Sequence, residues 1–255
     1  MSLAAGVSSI RAARAQIAPI AAIAIFGMSM SMSYPLFALI LANAGASGAM
    51  IGANTAAAAF AIILTAPLLP LVLRRVGLGP LMVAAGCLLT VSFALVPAFD
   101  SVIAWTVLRF LYGIAGTALF FGSEYWIVAR APEGKRGQVV AIYAIALSAS
   151  FMAGPLVVQV TGAVPAAFLV GAAIVVAGLA PLLWGLADAP ARAEADEAPP
   201  RPAGSFRFFL TDPALLWAIV LFGTIEYGVL SIISVWGVES GLTERAAVGL
   251  IAIFS

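Results

Sequence analysis

Long apolar segments recur along the whole chain and restrict its fold more than any other feature. The hydrocarbon core of a bilayer, about 30 Å thick, is crossed by about 20 apolar residues in helical form. A lone strand in lipid would leave its backbone polar groups unpaired, so each segment is predicted to be a helix and the fold class an all-α membrane protein. We predict spans at residues 17–42, 49–73, 78–99, 101–128, 137–161, 163–186 and 213–238, with an eighth beginning near residue 246.

The spans divide the chain into three parts. Residues 1–186 hold six spans and are predicted to form an N-terminal six-helix transmembrane bundle. Residues 187–212 are rich in Pro, Ala and charged residues and lack apolar periodicity, so they are predicted to be a cytoplasmic linker. Asp212 supplies an N-cap and Pro213 the first helical position, so residues 213–255 are predicted to be the truncated start of a second bundle.

The positive charges fall almost entirely at one end of the predicted spans. Of the 12 Lys and Arg residues, Arg245 lies at the other end and Arg109 lies within the fourth span. Because cytoplasmic loops carry the excess of Lys and Arg, we predict a multi-pass protein of the bacterial inner (plasma) membrane with a cytoplasmic N-terminus. The first apolar stretch, at residues 17–42, exceeds the roughly 7–15 residues of a signal-peptide core, which disfavours cleavage.

Composition excludes several classes of function. Charged residues make up 9% of the chain and the net charge is +1, which argues against nucleic-acid binding. With no histidine and Cys87 as the one cysteine, the chain offers no His or Cys metal site and no His base, so we expect no enzyme, no metal and no cofactor. No GxxxxGK[ST] loop is present, so the expected energy source is an ion gradient, with the proton favoured.

Arg109 is the most informative residue because it places a permanent charge inside an apolar span. A charge at the centre of a span costs about 2.5–3.5 kcal/mol on translocon scales, so such residues tend to face the bundle interior or a water-filled cavity. Two hypotheses stay open, a cavity role and a side chain that snorkels outward or makes a structural pair. At about 100° per residue, one face of this span carries Arg109, Tyr112, Gly113, Gly116, Phe120, Ser123 and Glu124, and the opposite face carries Phe110, Leu111, Ile114 and Phe121.

Four further polar residues are candidates for substrate contact or proton coupling. Glu226, near the middle of the seventh span, is the best proton-coupling candidate, with substrate contact and a structural hydrogen bond as alternatives. Tyr34 and Asn54 are candidate polar groups of a cavity, or else interhelical hydrogen-bonding partners. Glu124 lies near the cytoplasmic end of the fourth span, where it either faces the cavity or pairs with Arg130, Lys135 or Arg136.

Three short motifs resemble those of the major facilitator superfamily. Arg109-Phe110-Leu111-Tyr112-Gly113 is similar to the family's helix-four pattern of Arg, two variable residues, a polar residue and Gly. Ser150-Phe151-Met152-Ala153-Gly154-Pro155 is similar to the Gly-x-x-x-Gly-Pro pattern of drug/proton antiporters, with Ser150 in place of the first glycine. Arg74-Arg75-Val76-Gly77 occupies the place of Asp-Arg-x-Gly, with Arg74 in place of the acid. The resemblance implies two six-helix halves, about 12 spans in all, and helix packing at Gly113, Gly116, Gly154 and Pro155.

These observations predict a secondary active transporter of that superfamily. It would move a small organic solute across the cytoplasmic membrane, coupled to protons, with efflux as one direction under consideration. The alternative is a non-transporting membrane sensor or a truncated helical bundle that acts as a partner subunit. The expected partners are the lipid bilayer, a small-molecule substrate and protons, and the full-length protein is expected to be a monomer. Because a complete transporter needs two bundles, the chain is expected to be a fragment or a truncated product of one.

Overall fold

The computed structural model describes residues 3–132, 134–190 and 213–254, and this part of the chain contains helices and no strand. Short 3-10 turns occur at Ala66–Leu68, Val96–Ala98 and Leu186–Asp188. In chain order the helices are α1 (Leu3–Asn43), α2 (Gly48–Thr65), α3 (Leu69–Val76), α4 (Leu78–Ala94), α5 (Val102–Ala129), α6 (Arg136–Thr161), α7 (Ala167–Gly185), α8 (Pro213–Glu239) and α9 (Glu244–Phe254).

Six segments of the described chain are long and apolar enough to cross a membrane, and they coincide with the first six predicted spans. The second of them joins α2 and α3 through a 3-10 turn, where Pro67 and Pro70 lack the amide hydrogens that a continuous helix would use. The all-α membrane fold is therefore confirmed. The segments are Arg14–Asn43, Gly48–Val76, Leu78–Ala98, Val102–Ala129, Arg136–Thr161 and Ala167–Asp188.

Helix α1 lies at the centre of the bundle. In the most apolar 18-residue stretch of α1, 83% of the residues are buried inside the protein. The corresponding value for the span formed by α2 and α3 is 11%. Helices α5, α6, α7 and α8 all pack against α1. Its buried serines bond within the helix, since the hydroxyls of Ser31 and Ser33 donate to the carbonyl oxygens of Met28 and Met30 at 3.3 and 2.8 Å. The alternating Met and Ser residues therefore form part of a buried helix rather than a strand.

Helices α1 and α7 meet along a seven-residue repeat on both sides. Glycines spaced by seven in α7 lie against residues spaced by seven in α1, running in the opposite direction. A Cβ on any of these glycines would press on the α1 side chain opposite, so the absence of a side chain permits the close approach. A strict seven-residue step keeps two helices in register along their contact. The contact pairs are Gly171 with Met32, Gly178 with Ile25, and Gly185 with Ala18.

Two other helix crossings depend on predicted packing glycines. A Cβ on Gly154 of α6 would lie 2.6 Å from the amide nitrogen of Met32 and 2.7 Å from the carbonyl oxygen of Met28, both in α1. A Cβ on Gly113 of α5 would lie 2.9 Å from the carbonyl oxygen of Ala58 in α2. Because these neighbours are backbone atoms, they cannot move aside as a flexible side chain would. Pro155, next to Gly154, is also buried.

At one end of the bundle, which we call the basic end, Arg14, Arg130 and Asp188 connect α1, α5 and the segment that follows α7. Arg14 Nε lies 3.6 Å from Asp188 Oδ2, and Arg14 Nη2 donates to the carbonyl oxygen of Trp184. Arg130 Nε donates to the carbonyl oxygen of Asp188 at 3.0 Å. Asp188 is 8% exposed, so the packed backbone of the first bundle continues beyond the predicted boundary at residue 186 and is described as far as residue 190.

The Gly154 crossing generates the first prediction. We expect Gly154→Ala to lower the free energy of unfolding by about 1–3 kcal/mol, because the new methyl group meets the α1 backbone. Gly52→Ala is the matched control, since a Cβ on Gly52 of α2 meets no atom within 4 Å. That change should be neutral or stabilising by up to about 1 kcal/mol, because alanine is the better helix former. Unfolding in mixed micelles by SDS titration measures both, and equal effects of the two substitutions would contradict the packing.

Candidate functional site

A cavity of about 240 Å³ lies within the bundle between α1, α2, α5 and α6. Its volume is somewhat below the roughly 300–1,000 Å³ typical of small-molecule sites. Most of its wall is apolar and aromatic, and its hydroxyl groups belong to Tyr34, Tyr112 and Thr117. The lining residues are Phe26, Met30 and Tyr34 of α1, Ala58 and Ile62 of α2, Tyr112, Gly113, Gly116, Thr117, Phe120 and Phe121 of α5, and Leu147 and Phe151 of α6.

The predicted polar stripe on α5 supplies much of this wall. Tyr112, Gly113, Gly116 and Phe120 line the cavity, as expected for residues on one inward face. Arg109 and Ser123 are buried on the same stripe, beyond the two ends of the cavity. Glu124 is exposed and does not line it.

Two α5 residues differ from the expectation. Phe121 was assigned to the opposite face, yet it lines the cavity while remaining 43% exposed, which places it at the mouth of the cavity. Thr117 lines the cavity although it was not a candidate. Its spacing of four residues from Gly113 places it on the same helical face, so helical periodicity alone would have predicted it as a lining residue.

Arg109 points inward against α1. Its side chain is 1% exposed, and Nη1 donates to the carbonyl oxygen of Ser33 at 3.0 Å. The guanidinium carbon lies 5.5 Å from the ring centre of Tyr34 and 4.8 Å from that of Phe37, which places the charge over two π faces. The hypothesis that Arg109 snorkels outward is therefore wrong for this structure. Its Nε is buried without a hydrogen-bond partner in the described part of the chain.

Ser33 connects Arg109 to the wall of the cavity. The Ser33 hydroxyl is hydrogen-bonded to the Tyr112 hydroxyl at 3.3 Å, while the Ser33 carbonyl oxygen accepts from Arg109. The Tyr112 ring stacks on Phe93 of α4 with ring centres 5.4 Å apart. Arg109 thus lies behind the cavity, coupled to Tyr112 through one residue of α1, and is not itself a lining residue.

The remaining candidates lie in different places. Asn54 is 1% exposed and its Nδ2 donates to Thr106 Oγ1 at 3.2 Å, which is an interhelical bond between α2 and α5 outside the cavity. Of the basic residues proposed for Glu124, Arg130 donates to the carbonyl oxygens of Asp188 and Ala189. Glu226 belongs to α8, but its side chain lies outside the described residues, so the structure does not test its role in proton coupling.

The cavity generates a prediction on access to water. In a Cys87→Ser background, a thiol introduced as Phe120→Cys should react with a small charged methanethiosulfonate about tenfold faster than one introduced as Phe110→Cys, because thiolates form where water reaches. The two residues are both half-buried on α5, but Phe120 lines the cavity and Phe110 does not. Labelling is followed by mass spectrometry on intact protein in nanodiscs. Equal rates at both positions would show that the cavity does not admit water.

Comparisons with known proteins agree with this architecture. The MFS-type transporter YfkF of Bacillus subtilis is 29% identical over 136 residues, which are 53% of this chain and 35% of YfkF. The crystal structure of the nucleoside transporter NupG matches with a TM-score of 0.72 at 13% identity, covering 93% of this chain and 63% of NupG. The chain thus spans less than two thirds of either relative. A sequence profile described as Major Facilitator Superfamily matches residues 20–255. Since that match covers nearly the whole chain, the predicted resemblance is confirmed and the protein belongs to the Major Facilitator Superfamily of membrane transporters.

Proposed function

We propose that the protein is a secondary active transporter that moves a small organic solute across the bacterial inner membrane, driven by the proton gradient. The observation that carries the proposal is the cavity of about 240 Å³ lined by membrane-crossing helices. Helices of this family rock around a site near the middle of the bilayer, and the cavity lies near the middle of α1 and α5. The solute binds in this cavity and is exposed to each side in turn.

The contacts made by α8 and α9 support an arrangement closed on the outer side. Leu230 of α8 and Ile251 of α9 are buried together with Met30 and Tyr34 of the cavity wall. At the end of α1, Asn43 Nδ2 donates to Glu244 Oε1 at 3.3 Å. With the N-terminus in the cytoplasm, these contacts lie between the cavity and the outer surface. The path from the cavity to the outer surface then opens when α8 and α9 separate from α1.

The proposed orientation follows the charges at the two ends of the bundle. Arg14 and Arg130 join Asp188 at the basic end, and further Lys and Arg residues fall in the neighbouring loops. The positive-inside rule places this end in the cytoplasm. Both uptake and efflux are compatible with a cavity closed on the outer side, and efflux is the direction that we propose to test first.

Proton coupling is proposed for Glu226 of α8. Thirteen residues of α8 separate it from the helix start at Pro213, which places it about 20 Å along the axis and near the middle of the span. A carboxyl group at that depth is costly when charged, so it favours the neutral form until a charged partner or water approaches. Alternating exposure to the two sides would let such a group take up a proton on one side and release it on the other.

We therefore expect Glu226→Gln to reduce proton-driven transport by at least about tenfold while leaving solute exchange measurable, because an amide carries no titratable proton. The control is Glu239→Gln, an exposed residue at the far end of the same helix. Intact protein in proteoliposomes is assayed with a substrate found by screening, with and without a pH gradient. Normal proton-driven transport in Glu226→Gln would reject this residue as the coupling site. A wild-type protein that exchanges a solute but ignores every pH gradient would reject proton coupling altogether.

A further inference from the structure

We infer that the solute is a compact, uncharged aromatic molecule. The inference rests on the proposed function, since it names the class of molecule that the cavity would bind during transport. It follows from three features of the cavity: its aromatic rings, its narrow middle at two glycines of α5, and the position of the nearest charge.

Aromatic rings from three helices meet at one end of the cavity. The ring centre of Phe26 lies 5.1 Å from that of Phe120 and 6.4 Å from that of Phe151, in tilted and edge-on arrangements. At the other end, the rings of Tyr34 and Tyr112 line the wall. Such rings attract another aromatic ring through stacked or edge-to-face contacts.

Between these two ends the cavity is narrow, because two glycines of α5 lie close to α2 and to Phe26. Gly113 and Gly116 both line the cavity, and a Cβ on Gly116 would already lie 3.3 Å from the ring of Phe26. A Cβ on Gly113 would likewise lie 2.9 Å from the carbonyl oxygen of Ala58, so this part of the cavity suits a compact molecule. The eight helical steps from Tyr112 to Phe120 correspond to a length of about 12 Å at 1.5 Å per residue, which accommodates one or two fused rings.

No charged side chain among the described residues lines the cavity. The nearest guanidinium, that of Arg109, is held by the carbonyl oxygen of Ser33 and is covered by the rings of Tyr34 and Phe37. Thr117, a polar lining residue, donates its hydroxyl to the carbonyl oxygen of Gly113 at 2.6 Å. An ion that entered would lose its hydration without gaining a counter-ion, whereas an uncharged ring would lose little.

The test uses three naphthalene probes that share one ring system and differ in charge. Naphthalenemethanol is neutral, naphthoate is an anion, and naphthylmethylammonium is a cation at neutral pH. Equilibrium dialysis against intact protein in nanodiscs gives each Kd, and empty nanodiscs correct for partition into lipid. We expect the alcohol to bind at least about tenfold more tightly than either ion.

Matched variants locate the binding. Phe120→Ala and Phe151→Ala should each weaken binding of the alcohol by about two- to tenfold, because each removes one ring from the cavity. Phe110→Ala, the same change on the outer face of α5 against Phe60, should leave binding unchanged. Two ring variants keep the test decisive if one of them fails to fold.

The outcomes separate this inference from the proposed function. Tighter binding of naphthoate or naphthylmethylammonium would overturn the inference, and naphthoate binding that is lost in Arg109→Gln would identify Arg109 as the missing counter-ion. Equal effects of the Phe110 and Phe120 variants would also overturn it. If proteoliposomes exchange only charged solutes, the transporter proposal stands and the inference fails. If the alcohol binds as expected and no solute is ever exchanged, the ligand class stands and the transporter proposal fails.

Discussion

The close contact between α1 and its neighbours is the constraint on which the rest of the structure depends. Lipid tails are as apolar as apolar side chains, so these side chains gain little by moving from lipid into the protein. Helices in a membrane therefore associate through close packing and through hydrogen bonds between polar groups. Glycines in α6 and α7 let both helices approach α1 at the level of Met28, Ile25 and Met32. With α1 held on these sides, its remaining face must present Phe26, Met30 and Tyr34 to the cavity and the carbonyl oxygen of Ser33 to Arg109.

Arg109 illustrates how this packing determines a residue's role. A guanidinium in a span needs partners, and the structure supplies a backbone carbonyl and two aromatic rings from α1. The charge is thereby used to join α5 to α1, and the cavity wall in front of it stays apolar. Because Ser33 also bonds to Tyr112, a movement of α1 relative to α5 would change the cavity wall and the environment of the charge together. This coupling suits a protein whose helices rearrange during its cycle.

Much of the fold could be predicted from the sequence because the bilayer imposes a simple rule on length and polarity. The first six predicted spans coincide with apolar helices of the structure, and the interior face of α5 followed from helical phase. Phe121 was misassigned because helical phase gives the direction of a residue and not how far the cavity extends around the helix. Asp188 was placed in the linker because the segment around it has the composition of a linker. Its contacts with Arg14 and Arg130 could not be predicted, because these residues come from parts of the chain distant in sequence. The seven-residue glycine repeat of α7 was present in the sequence but pairs only with the matching repeat of α1.

The sequence by itself determined the class of protein, the six spans up to residue 188, the charge asymmetry of the two ends and the motifs that resemble the superfamily. These properties depend on local composition and on the solvent around each segment. Only the tertiary structure decided that Arg109 turns toward Ser33, that Asn54 bonds to Thr106 outside the cavity, and that aromatic rings from α1, α5 and α6 surround one space. The physical reason is that each of these contacts joins residues from different helices, and the rotation and depth of a helix in lipid are set by its neighbours rather than by its own hydropathy.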